Sequence, residues 1–298
     1  MFTFHTSGST GTPKQIQITR ERIFESTKQT FDFIDENREI RNCLLCLDPD
    51  FIGGAMVVFR ALIMNLDLFI MEPTRDVIKE LPPSFSTDLV SMVPLQYQGL
   101  TKAETKHFKT ILIGGAPIGI ESERNPHSNV FSTYGMTETV SHIALRRMNE
   151  VDFQVLSGME LDLDSDSCLK IKGPVTDQKW LQTNDIVELS SERSFRWIGR
   201  RDHIINSGGV KLNPEAIERK LHEQIHPTRF LISSLPDSRL SEKVVLIIEN
   251  SLGHDLNFDT LEKYERPKMV VEGQKITMTS SGKVDRINTR KSLIASQK

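Results

Sequence analysis

Cysteine, tryptophan and tyrosine are scarce in this chain: three, two and three residues among 298. Three cysteines are too few for a disulfide framework. Cys43 and Cys46 form a lone C-x-x-C, with neither a second pair nor a matching histidine pair to complete a zinc site. They read as two small apolar residues in a buried strand, in a reducing, cytoplasmic compartment. An uninterrupted apolar run is also missing. The best candidate, residues 53–71, is broken by Arg60, Asn65 and Asp67, and reads as a buried helix followed by a strand and not as a membrane span. Met1 leads into Phe-Thr-Phe-His-Thr with no basic region, so no secretory signal is expected. Nor does one sign of charge dominate: the net charge is −3 and the pI about 6.3, which argues against nucleic acid as a partner.

What is present is the balance of a globular protein, 38% hydrophobic and 26% charged, with length for one large domain or two ordinary ones. Residues 2–4 predict a short strand. A helix follows, with Thr19 as N-cap and Ile23, Thr27, Phe31 and Ile34 at helical spacing. Apolar runs at 43–47, 68–71, 89–93, 111–113 and 130–131 alternate with helical or loop material. That alternation predicts an α/β layered core whose strand-end loops build a site. From about residue 151, short strands at 161–163, 169–172, 186–189 and 195–198 predict a small β-rich subdomain. The charged stretch Gly199-Arg-Arg-Asp-His203 reads as a boundary. Beyond it lies a compact α+β unit: Asn213 caps a helix with Pro214 in its first turn and Ile217, Leu221 and Ile225 on one face, with strands at 230–232 and 244–248. The tail 279–286 is polar and flexible in composition, with positive charge at Lys283 and Arg286. The expected fold class is therefore α/β: a layered α/β large domain with a small β-rich subdomain (1–199), plus a smaller α+β C-terminal domain (200–298).

The most informative stretch is Thr6-Ser7-Gly8-Ser9-Thr10-Gly11-Thr12-Pro13-Lys14. Glycines let backbone N–H groups approach a ligand, and hydroxyls and an ammonium add donors. A loop rich in donors and free of acids suits a polyphosphate. It is not a Walker A loop, because Gly-Lys-Ser/Thr never occurs. The plainer alternative is a flexible linker.

This loop resembles that of the adenylate-forming (ANL) superfamily of acyl- and aryl-CoA ligases, carrier-protein adenylation domains and luciferases. Further stretches resemble the family's motifs in order: Ile111-Leu-Ile-Gly114-Gly115-Ala116, Tyr134-Gly135-Met-Thr137-Glu138, Trp180-Leu-Gln-Thr-Asn-Asp185, Gly199-Arg200-Arg-Asp202 through Ser207-Gly208-Gly209-Val-Lys-Leu-Asn-Pro-Glu215, and Ser281-Gly-Lys283-Val-Asp-Arg286. The resemblance covers essentially the whole chain. It implies that ATP is held by Thr6, Ser7, Gly8, Ser9, Thr10, Gly11, Lys14, Gly114, Gly115, Ala116, Tyr134, Gly135, Asp185 and Arg200. Tyr134 would stack on adenine, Asp185 would accept the ribose hydroxyls, and Arg200 would clamp ribose or phosphate. Thr137 would donate to the α-phosphate, and Glu138 would hold Mg²⁺, a hard cation that prefers such oxygens. Lys283 would offset the repulsion between the attacking carboxylate and the α-phosphate, a preorganised charge worth about 10²–10³ in rate. The resemblance also implies two half-reactions, formation of an acyl-adenylate and then its capture by a thiol, with CoA as the co-substrate. The C-terminal domain would rotate about Asp202 between them and bring Ser207, Gly208 and Gly209 to the pantetheine arm.

Residues 134–145 and Phe51-Ile-Gly-Gly-Ala-Met, followed by Phe59-Arg-Ala-Leu62, resemble o-succinylbenzoate–CoA ligases of menaquinone biosynthesis. That implies an aromatic, doubly acidic small-molecule substrate and an acyl pocket with Phe51, Ser141 and His142, the last as a donor or else a structural histidine. Three departures stand out. The chain starts at the phosphate loop, whereas typical members carry a large segment before it, so either this is a minimal form or part of the acyl-pocket wall is absent. Phe51 replaces a histidine usual in the family. Asn184 replaces the glycine before Asp185, where a left-handed backbone is expected. The rival readings are another acyl- or aryl-CoA ligase, a carrier-protein adenylation enzyme, or a nucleotide-binding module without catalysis.

Overall fold

The computed structural model describes residues 1–5, 14–118, 128–226, 228–279 and 284–296. Its elements are, in order, β1 (Phe2–His5), β2 (Gln15–Ile18), α1 (Arg20–Ile34), β3 (Asn42–Leu45), α2 (Ile52–Met64), β4 (Asp67–Ile70), β5 (Thr87–Met92), α3 (Pro94–Gln98), β6 (Phe108–Ile113), β7 (Asn129–Gly135), β8 (His142–Arg147), β9 (Phe153–Val155), β10 (Glu160–Leu163), β11 (Cys168–Lys172), β12 (Leu181–Ser191), β13 (Ser194–Arg200), β14 (Ile205–Ser207), β15 (Val210–Leu212), α4 (Pro214–Ile225), β16 (Phe230–Asp237), β17 (Ser241–Ile248), β18 (Met269–Glu272) and α5 (Arg286–Ser296). The chain divides into two compact units. One comprises Met1–Asp164, Leu169–Thr183 and Glu188–Arg196, the other Ser165–Cys168, Asn184–Val187 and Trp197–Lys298.

The first unit is built on an 11-stranded sheet in the order β10-β11-β12-β13-β9-β8-β7-β6-β5-β3-β4. From β4 through β3, β5 and β6 to β7 the pairing is parallel; β7 to β8 and β8 to β9 are antiparallel. The strands expected to form a separate β-rich piece therefore join the same sheet. Side chains alternate across the parallel strands. Leu44, Cys46, Val90, Met92, Ile111, Ile113 and Val130 enter one core with Tyr97 and Leu100. Cys43, Leu45, Leu89, Leu112 and Phe131 enter another with Phe31 of α1 and Val57 and Ala61 of α2. Burial on both faces explains why these strands read as continuous apolar runs.

Helix α1 starts where its cap predicts: Thr19 Oγ1 accepts from the Arg22 N–H at 3.3 Å, and Ile23, Thr27 and Phe31 are buried. The broken apolar run at 53–71 resolves into α2 and β4. Among the described residues no helix is long and apolar enough to cross a membrane, and no cluster of His, Cys, Asp and Glu is built to hold a metal. Cys43 and Cys46 are free and fully buried. Burial raises their thiols to about 11 and about 12 respectively, which makes them core residues.

The second unit holds a five-stranded sheet, β15-β14-β17-β16 with β18 parallel to β17. Asn213 Oδ1 accepts from the Ala216 N–H at 3.2 Å and Pro214 opens α4. Val244, Leu246 and Ile248 of β17 pack toward Ile217, Leu221 and Ile225, while Val245 and Ile247 face Leu293 of α5. The polar tail needs a correction. Arg286 is not a flexible surface charge but the first residue of α5, and its guanidinium lies 2.5 Å from Glu218 and 3.6 Å from Glu215.

Candidate functional site

In an open parallel sheet the loops at the carboxyl ends of the strands are free to meet a ligand. Phe51 follows β3 and occupies the N-cap position of α2. Gly114, Gly115 and Ala116 follow β6, and Tyr134, Gly135, Thr137 and Glu138 lie at and beyond the end of β7. Three of the expected stretches in the first unit thus reach one edge of the sheet or its adjoining loops. Gly135 is dictated by closeness: a Cβ there would come within 2.1 Å of the Ser141 carbonyl oxygen. Thr137 and Glu138 are half-buried in a single 3₁₀ turn. Tyr134 is 9% exposed, its ring set edge-on to Phe195 at 5.0 Å and beside Phe153 at 5.9 Å, so little of it faces outward. Lys14 is exposed. Thr6, Ser7, Gly8, Ser9, Thr10, Gly11 and Lys283 lie outside the described residues.

After Glu138 the backbone folds sharply. The Ser141 N–H donates to the Thr139 carbonyl at 2.7 Å around Val140, a fully buried β-branched residue at φ 67°, ψ −54°. Such a three-residue turn costs on the order of 1–3 kcal/mol and persists only where its surroundings hold it. It delivers Ser141 and His142 into a hydrogen-bonded chain. Thr30 donates to the Ser26 carbonyl at 2.7 Å, so its lone pair accepts from His142 Nε2–H at 2.9 Å. That leaves His142 Nδ1 as an acceptor facing Ser141 Oγ at 3.4 Å, and Ser141 Oγ accepts from Arg60 Nη2 at 3.0 Å. Burial, with Arg60 adding to it, holds the ring well below the usual histidine range, hence neutral. Of the two roles expected for His142, a donor or a structural histidine, this arrangement favours the second: both ring nitrogens are engaged inside the protein.

Arg60 takes its place as the cation of this region. It is 3% exposed, and no carboxylate among the described residues lies within ion-pairing distance of it. Its Nε has no hydrogen-bond partner among the described residues. Burial pulls the guanidinium down to about 10, with Cys43 opposing, so it stays charged at neutral pH. A lone arginine inside an otherwise apolar helix was the available signal, since only burial puts such a residue on that face. Arg60 lies within the Phe59-Arg-Ala-Leu62 stretch, which by itself assigns it no role.

In the second unit Asp185 is buried and accepts from Trp197 Nε1 at 3.1 Å, with Arg200 Nη1 at 3.7 Å. Arg200 also makes a two-point contact with Asp202, at 2.9 and 3.0 Å. Burial works against the Asp202 carboxylate, yet Arg200 holds it below its ordinary range. Asn184 does not adopt the left-handed backbone expected of it. It sits within β12, without a positive φ, and its side-chain oxygen accepts from Arg201 at 2.8 Å. Ser207 is buried, and Gly208 and Gly209 form the two-residue turn between β14 and β15 at φ 62° and 82°. Two successive positive φ values are what a type I′ hairpin turn demands, so backbone geometry alone accounts for this glycine pair.

A run of parallel strands, here β4 to β7, with loops gathered at its carboxyl edge is the arrangement of ligand-binding α/β enzymes. Residues 1–164 match the AMP-binding enzyme family model, and the chain belongs to that family. It is 32% identical to an acyl-CoA synthetase (AMP-forming)/AMP-acid ligase II-like protein from Dyadobacter fermentans, with a TM-score of 0.61 and 98% of this chain and 89% of that one covered. It is 25% identical to 2-succinylbenzoate–CoA ligase of Listeria monocytogenes, over 95% of this chain and 68% of that protein. The fold is also that of o-succinylbenzoate coenzyme A synthetase from Bacillus subtilis, solved with ATP and magnesium: TM-score 0.82, 22% identity, 97% and 69% covered.

Proposed function

We propose that this chain is an ATP-dependent acid–CoA ligase that forms an acyl-adenylate and then a CoA thioester, with o-succinylbenzoate as the acid. One observation carries the choice of a doubly acidic substrate: the buried guanidinium of Arg60. A dry, unpaired charge is costly to maintain. An acid with one carboxylate for chemistry and a second for Arg60 would relieve that cost, and the 2-succinylbenzoate–CoA ligase relatives act on such an acid.

The remaining roles follow from residue chemistry. The loop from Thr6 to Gly11, with Lys14, cradles the phosphates. Gly114, Gly115, Ala116, Tyr134 and Gly135 border the base, and Asp185 and Arg200 receive the ribose. Glu138 suits Mg²⁺ because its carboxylate is half-buried and has no hydrogen-bond or ion-pair partner among the described residues. When bound, the ion supplies positive charge against the triphosphate. Thr137 donates to the α-phosphate, and Lys283 bridges it to the attacking carboxylate. Residues 200–298 act as a mobile domain pivoting at Asp202, and Ser207, Gly208 and Gly209 meet the pantetheine arm in the second step.

The test is acid-dependent pyrophosphate release. o-Succinylbenzoate should release it, and the same keto acid without its second carboxylate should not. Lys283→Ala should abolish release yet spare thioester formation from supplied acyl-adenylate. Equal loss of both half-reactions removes the role given to Lys283, and equal turnover of both acids removes the substrate. Replacing CoA by a phosphopantetheinyl carrier protein decides the acceptor.

A further inference from the structure

Arg22 belongs to none of the motifs. It lies in the first turn of α1 with its side chain 11% exposed. Its Nη2 donates to the backbone carbonyl of Glu138 at 2.5 Å, its Nε to that of Val175 at 2.6 Å, and its Nη1 to that of Gln17 at 3.5 Å. Its one carboxylate neighbour among the described residues, Asp177 at 3.7 Å, is 56% exposed. The guanidinium is thus spent mainly on main-chain oxygens of three segments: β2, the Thr137–Thr139 turn, and the Pro174–Thr176 turn. Its N–H groups form a rigid planar fork. Three carbonyls bound to one fork are fixed relative to each other, which three separate hydrogen bonds to flexible side chains would not achieve.

The Glu138 carbonyl is the telling partner. Inside the turn, Thr139 Oγ1 closes onto Met136 and Ser141, which shapes the loop but does not tie it to the helix. Arg22 does. We propose that Arg22 is a positioning residue: it sets the Glu138 turn, and through it the carboxylate that receives Mg²⁺·ATP, without touching the nucleotide. This rests on the reading of Glu138 as the Mg²⁺ residue.

Arg193 supplies a matched control in the same unit. It too donates to main-chain oxygens, of Val155 and Leu156 at 2.9 and 3.0 Å, but away from the turn. The experiment is calorimetric binding of ATP to the whole chain, with Mg²⁺ and with EDTA, for wild type, Arg22→Met, Arg22→Lys, Glu138→Gln, the Arg22→Met/Glu138→Gln double variant and Arg193→Met. Arg22→Met should weaken Mg²⁺·ATP binding about tenfold, on the scale of one charge-assisted hydrogen bond, and leave metal-free ATP binding nearly unchanged. Arg22→Lys should fall between, and Arg193→Met should bind like wild type. The double variant should bind no worse than Glu138→Gln alone, because residues acting through one another are not additive. Losses that multiply in the double variant, or equal weakening with and without metal, overturn the proposal. If Arg22→Met does not fold, wild-type Mg²⁺·ATP affinity in Arg22→Lys overturns it equally. A Glu138→Gln variant that binds Mg²⁺·ATP like wild type instead removes the role of Glu138, and the proposal with it.

Discussion

Arg60 Nη2 donates to Ser141 Oγ at 3.0 Å, and this neutral hydroxyl is the guanidinium's one hydrogen-bond acceptor among the described residues. A cation so placed costs stability in the free protein and gains it when an anion arrives. Arg60→Met should therefore melt no lower than wild type, since an apolar chain of similar length replaces an unpaired buried charge. It should lose about 2–4 kcal/mol of transition-state binding toward o-succinylbenzoate, roughly 30- to 1,000-fold in kcat/KM. Melting curves and steady-state kinetics on the same preparation check both halves.

Trp197 holds Asp185 through a single N–H···O bond of 3.1 Å. Trp197→Phe keeps the ring and removes the donor. Hydrogen bonds to charged groups are worth about 1.5–3 kcal/mol, so ATP binding should weaken roughly tenfold with little change in fold. The chain has two tryptophans. Trp180→Phe leaves Trp197 as the only indole, and its fluorescence should change when ATP is added.

The His142 ring is buried neutral, its proton affinity held well below the ordinary value of 6.5 chiefly by burial. In the unfolded chain the same ring takes up a proton near pH 6.5. Below that pH the unfolded state binds more protons than the folded one, so stability falls as pH falls and is fully present above it. Denaturation midpoints measured between about pH 7.5 and 5 should drop more steeply for wild type than for His142→Gln. Parallel curves would show that the histidine does not contribute.

Arg286 and Glu218 are a buried pair in the second unit. Burial raises the Glu218 carboxyl despite the pull of Arg286, so desolvation outweighs attraction at that end. Arg286→Met should cost about 3–5 kcal/mol by stranding the carboxylate, whereas Glu218→Leu/Arg286→Met should recover most of it. Hydrogen exchange at the α4 amides reads the difference.

Much of the fold was legible because its cause is local. Thr19 and Asn213 cap the helices they were expected to cap, and the apolar runs at 89–93 and 244–248 are strands because both of their faces are buried. What escaped was set by partners distant in sequence. β8 begins at His142, inside a stretch read as a motif, and is a strand because it pairs with β7 and β9. Arg286 looked like tail charge because Glu218 is 68 residues away. For the site, residue types at motif positions were readable and side-chain roles were not. His142 turned inward once Thr30 was beside it, and Asn184 needed no special backbone because β12 runs straight through it. Arg22 carries no motif, Arg60 has no assigned role within Phe59-Arg-Ala-Leu62, and contacts alone single them out.

The three cysteines, at 1%, 0% and 0% exposure, amount to a built-in clock. Cys43 lies on β3 and Cys168 on β11, near opposite ends of the 11-stranded sheet, and a thiol reagent reaches them only when the surrounding structure opens. Site-resolved alkylation would therefore time the opening of the two ends of that sheet in the unaltered sequence, and an acid or nucleotide that tightens one end would reveal itself by slowing only the label there.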